Sequence, residues 1–91
     1  MVVHPHHRAI IASIQRFRNQ ESGTAGLQRD IAAIQGAIEG DMPGAREIRK
    51  ALEEAENSIE YIWHTKDKHI AMEGIHRILD ELEVLVEHYA R

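Results

Sequence analysis

Histidine is the residue whose number in this 91-residue chain first suggests chemistry, because seven are present and imidazole is the commonest transition-metal ligand in proteins. His4, His6 and His7 lie at the start of the chain, which we expect to be mobile and solvated. We expect residues 1–6 to form a mobile N-terminus, where such a cluster binds metal ions without selecting one.

A second group of metal-ligand side chains consists of His69, Glu73 and His76. Spacings of three, four and seven residues place them on one side of a helix, which would suit a metal-binding helical bundle. A count of about 100° per residue puts Glu73 and His76 more than a right angle from the apolar stripe of the same helix. We therefore expect both side chains to face solvent, and no bound cofactor is predicted.

Acidic side chains form two rows on the segments predicted to be the third and fourth helices. The rows are Glu53, Glu56 and Glu60, and Asp80, Glu83 and Glu87. Paired rows of this kind can hold Mg²⁺ for pyrophosphate chemistry. The enzymes that do this carry Glu-x-x-Glu on one helix and Glu-x-x-Asp on a later helix. Glu53 and Glu56 match the first half, but Asp80 and Glu83 stand in the reverse order of the second. Both rows also lie away from the apolar stripes. They are interpreted as solvated faces.

Composition and charge exclude several classes of function. The chain has no cysteine, which excludes a disulfide scaffold, a zinc-thiolate site and thiol catalysis. Neither a phosphate-binding glycine loop nor a Ser/His/Asp grouping is present, so an enzyme is not expected. Residues 1–38 carry a net charge of +2 and residues 39–91 carry −6. No basic stripe is available for nucleic acid, whereas the acidic half would attract a basic protein.

The third helix carries two aromatic residues: by the same helical count Trp63 lies about 60° from the centre of the apolar stripe, and Tyr61 lies on the opposite side of the helix. Tyrosine and tryptophan are favoured anchors of protein interfaces, and surrounding carboxylates suit a basic partner. The predicted partner-binding residues are Glu53, Glu56, Glu60, Tyr61 and Trp63.

Apolar residues recur at helical spacing along the whole chain, and no stretch alternates like a strand. We predict a single all-α domain over residues 1–91, an antiparallel up-down four-helix bundle with helices of about 15, 16, 22 and 22 residues. The stripe of the third helix does not continue beyond Ile62, which favours a reversal near residues 65–68 with Asp67 as N-cap. One continuous helix that pairs in a homodimer is the alternative.

Several local features refine these boundaries. Thr24 or Ser22 is expected to cap the second helix, and Asp41 to cap the third, with Pro43 just inside its first turn. Gly36, inside the second helix, suggests the close approach of a neighbouring helix. Because neither a membrane span nor a signal peptide is recognisable, we expect a cytoplasmic protein.

Residues 27–86 resemble a group of small, all-helical bacterial proteins that are encoded near secreted-toxin genes and taken to be immunity-type proteins. The similar segments are 27–31 (LQRDI), the acidic turn 39–43 (EGDMP) and 55–62 (AENSIEYI), followed by a Leu/Val-rich closing helix. The resemblance implies a non-enzymatic immunity-type protein, and the acidic surface of the third and fourth helices suggests that its partner is a basic toxin domain. The resemblance assigns no binding residue. A metal-binding bundle and a homodimeric structural protein remain the alternatives.

Overall fold

The fold consists of four helices, as seen in a computed structural model that describes residues 4–38, 40 and 42–90. The helices are α1 (Pro5–Arg18), α2 (Thr24–Ala37), α3 (Ala45–Thr65) and α4 (Lys68–Ala90). The described residues contain no strand. The predicted all-α fold with two shorter and two longer helices is confirmed. None of the described helices has the length and apolar character needed to cross a membrane.

The helices form a closed ring. α1 packs on α2, α2 on α3, α3 on α4, and α4 returns to α1. Neighbours run antiparallel: Ile62 near the end of α3 lies against Gly74 near the start of α4. The end of α1 likewise meets the first half of α4, where Phe17 lies beside His76. One end of the bundle therefore holds the α1–α2 and α3–α4 connections, and the other holds the α2–α3 connection.

The core lies along the axis of this ring and receives one apolar stripe from each helix. In α3 the stripe is Ile48, Leu52 and Ile59, all of which are fully buried. These residues follow one another at steps of four and seven, the spacing that keeps side chains on one helix face. Ile10 and Ile14 of α1 join the same cluster. The periodicity of the sequence thus accounts for which face of each helix turns inward.

The chain reverses between α3 and α4 at residues 66 and 67, as predicted. α3 ends at Thr65, and the backbone N–H of His69 donates to Asp67 Oδ1 over 2.9 Å. This side-chain cap satisfies one of the free N–H groups at the start of α4. The continuous helix considered as an alternative is therefore wrong.

The other two predicted caps are wrong where they can be compared with the structure. Gly23 is the N-cap of α2 and offers no side-chain hydrogen bond, so neither Thr24 nor Ser22 takes that role. Gly44 is the N-cap of α3 with φ 72°, so Pro43 precedes the helix instead of opening it. Asp41 lies outside the described residues. The reason for Gly44 is tertiary: a Cβ there would overlap the ring of Tyr89.

His7 also differs from the sequence prediction. α1 begins at Pro5, and His4 accepts a hydrogen bond from the backbone N–H of His6 over 3.1 Å. His7 is only 1% exposed, so its assignment to a mobile, solvated end is wrong. Its Nε2 lies 3.1 Å from the carbonyl oxygen of Pro43. Since a carbonyl only accepts, Nε2 carries the hydrogen and ties α1 to the α2–α3 connection.

Two glycines give a direct test of this fold. Gly36 has open space around it, since an added Cβ would meet nothing within 4 Å, so the expected close helix approach is wrong. Gly36→Ala should raise the free energy of unfolding by about 0.5–1 kcal/mol because alanine is the better helix former.

Gly44→Ala should do the opposite. The left-handed backbone and the displaced Tyr89 ring should together lower the free energy of unfolding by about 1–3 kcal/mol. Urea denaturation of both variants beside the unmodified chain measures the two changes. Equal effects of the two substitutions would contradict this description of the α2–α3 connection.

Candidate partner-binding site

The acidic row of α3 (Glu53, Glu56 and Glu60) lies on the flank of that helix that faces α2. At about 100° per residue, it occupies the same flank as Arg49 and Trp63. Arg49 donates to the carbonyl oxygen of Ile38, at the end of α2, over 2.6 Å. Glu53 and Glu60 are exposed, and Glu56 is half-buried.

No carboxylate of this acidic row takes part in an ion pair among the described residues. The ion pairs found there are Arg16–Asp30, Arg18–Asp80, Arg18–Glu83 and His69–Glu73. Asp30 of α2 bonds to α1, so the opposite side of α2 faces α3. Gln28 and Gln35 lie about 140–160° around the helix from Asp30, on that opposite side. The side of α2 that faces the acidic row therefore carries uncharged amides. Arg49, the cation one helical turn before Glu53 on this flank, is directed to the Ile38 carbonyl oxygen, and no carboxylate of the row has a cationic partner within 4 Å among the described residues.

The second acidic row has a structural role and faces a different direction. Asp80 and Glu83 of α4 both accept from the guanidinium of Arg18, at the end of α1. The Arg18 Nη1–Glu83 Oε1 distance is 3.1 Å, and the side chain of Glu83 is 24% exposed. Glu87 is exposed. Because α1 and α3 pack on opposite flanks of α4, the two rows do not form one surface.

Tyr61 is the predicted partner-binding residue that the structure separates from the rest. It is 64% exposed and lies about 160° around α3 from Trp63. Its flank is that of Glu54 and Ser58, which face α4 across a shallow groove. The five predicted residues are thus divided between two flanks, with four of them on the flank toward α2.

Trp63 is half-buried and belongs to a cavity that the sequence did not reveal. The cavity has a volume of about 420 Å³ and is lined by Phe17, Trp63, Met72 and loop residues 20–24. Lys68 lies over the indole, its Nζ 3.7 Å from the ring centroid, and donates to the carbonyl oxygen of Trp63 over 2.8 Å. We call this space the indole cavity.

The candidate metal ligands are not brought together. Nε2 of His69 lies 3.6 Å from Oε1 of Glu73, and both side chains are largely exposed. The ring of His76 instead packs against Phe17, with 5.5 Å between the centroids. Over the described part of the chain, no group of three or more His, Asp or Glu side chains could hold a metal ion.

The double contact of Arg18 gives a testable consequence. Arg18→Gln should lower the free energy of unfolding by about 1 kcal/mol, because it leaves the half-buried Glu83 carboxylate without its cation. Asp80→Asn should cost about 0–0.5 kcal/mol, since that carboxylate is 69% exposed and pairs in water. Urea denaturation in low salt measures both; a larger loss for Asp80→Asn would contradict the structural role given to Glu83.

The surface toward α2 therefore combines an unpaired acidic row with an apolar cavity at one end, one helical turn beyond Glu60. This arrangement can attract positive charge and bury an uncharged group beside it. Comparisons of the chain with protein-family models, with curated proteins and with solved structures find no match.

Proposed function

We propose that this protein is a non-enzymatic binding module that masks a basic protein partner with the acidic row of α3. Its biological role would be that of an immunity- or antitoxin-like protein in the bacterial cytoplasm, which holds a basic toxin domain in an inactive complex. The immunity role rests on the resemblance of residues 27–86, whereas the binding surface rests on the geometry of α3.

One observation carries the proposal: Glu53, Glu56 and Glu60 lie together on one flank and form no ion pair with any described residue. Like charges three and four residues apart on a helix repel, and a partner that supplies lysine or arginine relieves that repulsion. The rigid helix fixes their spacing before binding, so little conformational freedom is lost in the complex.

The electrostatics also define how such a partner would be recognised. Complementary charge accelerates encounter and selects among partners more than it strengthens the final complex. The association rate should therefore fall with rising ionic strength, while apolar contacts near Trp63 determine how long the complex lasts.

Charge reversal on the two flanks of α3 tests the proposal. The double variant Glu56→Lys/Glu60→Lys should abolish capture of a basic protein from lysate of the source organism, with affinity for the purified partner falling about 100-fold or more. The measurement is affinity capture with mass spectrometry, followed by calorimetry on the identified partner.

The matched control is Glu47→Lys/Glu54→Lys, which makes the same change in net charge on the flank toward α4. It should leave binding within about threefold, because these two carboxylates lie on the other flank of α3, away from the proposed contact. If both double variants bind equally well, the acidic row is not the binding surface. If both lose binding equally, net charge and not this flank governs recognition.

A further inference from the structure

The indole cavity lies at the end of the bundle that holds the α1–α2 and α3–α4 connections. Its volume is about 420 Å³, and its mouth is wide open to solvent. Sites that bury small ligands or anchoring side chains have volumes of about 300–1,000 Å³. The space is therefore large enough for one aromatic side chain with room at its mouth.

The walls of the cavity are formed before anything binds. The backbone N–H of Gln20 donates to the carbonyl oxygen of Phe17 over 3.0 Å, and that of Glu21 donates to Arg16 over 2.8 Å. Gln20 itself has φ 63°, a left-handed conformation that is unusual for a residue other than glycine. These bonds fold the loop back onto the last turn of α1 and hold residues 20–24 opposite Trp63.

The chemistry of the lining favours an aromatic group. Trp63 and Met72 are both half-buried and offer an indole and a thioether, which contacts aromatic edges favourably, while Phe17, only 4% exposed, lies beneath them. Ser22 Oγ is buried and has no hydrogen-bond partner among the described residues. Tyrosine and tryptophan suit a lining of this mixed character, since each carries one polar hydrogen on an apolar ring.

The charge around the cavity favours a basic carrier for that aromatic group. Glu21 is the one charged residue of the described lining, and Glu60 lies one helical turn before Trp63. The ammonium group of Lys68 already lies over the indole, and it would repel a second cation placed inside the cavity. The positive charges of the partner should therefore lie outside the indole cavity, opposite Glu60 and Glu56.

We propose that the indole cavity binds a tyrosine or tryptophan side chain of the basic partner, flanked in that partner by lysine or arginine residues that lie over the acidic row. The inference rests on the proposed function, since it names the anchor of the same interface. Burial of the aromatic side chain would slow dissociation of the complex, and the acidic row would orient the partner.

Trp63 reports directly on the cavity because it is the only tryptophan of the chain. The probes are three capped five-residue peptides: tyrosine flanked by two lysines on each side, the same peptide with alanine for tyrosine, and tyrosine flanked by glutamates. Tryptophan emission, excited where tyrosine does not absorb, is titrated alongside amide NMR shifts of residues 20–24. The lysine–tyrosine peptide should shift both signals and bind about tenfold or more tightly than either control peptide.

Variants locate the effect. Gly23→Leu adds a side chain at the cavity wall, where an added Cβ meets nothing within 4 Å, and should weaken the lysine–tyrosine peptide about tenfold. Gly36→Leu, whose position is equally open but lies away from the cavity, should leave binding unchanged. Circular dichroism of both variants confirms that each is folded.

Three results would overturn the inference. Equal binding of the tyrosine and alanine peptides, with shifts confined to α3, would leave the acidic row as the binding surface and remove the anchor. An emission change that follows protein concentration without peptide would assign the cavity to a second copy of this chain. An unchanged Trp63 emission with every peptide would show that the cavity takes no aromatic side chain.

The same titration separates this inference from the proposed function. If N-acetyl-tyrosine amide shifts Trp63 emission and the lysine flanks add nothing, the cavity binds aromatic groups but the acidic row does not select basic partners. That outcome contradicts the proposed function and the expectation that the partner is basic. Only the preference of the cavity for an aromatic side chain would then remain.

Discussion

Burial of four apolar stripes against one another is the interaction on which the rest of this structure depends. Each helix contributes to one cluster, with fully buried residues such as Ile14, Leu27, Leu52 and Leu79. A short chain buries a modest share of its surface, so the ring must close for the fold to be stable. The inner face of each helix is therefore fully used for core packing. Charged side chains are left to the outward flanks, those of α3 among them.

The sequence predicted most of the architecture because helical periodicity is a local property. The stripe that stops after Ile62 and the acid at position 67 were sufficient to place the α3–α4 reversal. The caps of α2 and α3 could not be predicted in this way. Gly44 leaves room for the ring of Tyr89, which comes from the far end of the chain, and no local pattern records that contact.

The candidate site was predictable to a lesser degree, for a similar reason. A helical count places Glu53, Glu56 and Glu60 on one flank, but only tertiary packing shows that Asp80 and Glu83 are engaged by Arg18. The buried position of His7 is equally invisible, since imidazole alone indicates neither a core nor a surface site. The indole cavity arises where three separate segments meet, and no single segment predicts it.

The closed antiparallel ring of helices determines where the two ends of the described chain lie relative to the indole cavity. Pro5 opens α1 and Ala90 closes α4 at the end of the bundle that holds the α2–α3 connection, where His7 meets Pro43 and Tyr89 meets Gly44. The indole cavity lies at the opposite end of a body about 40 Å long. Both ends of the described chain, His4 and Ala90, thus lie away from the cavity, and a partner could approach its mouth without meeting either of them.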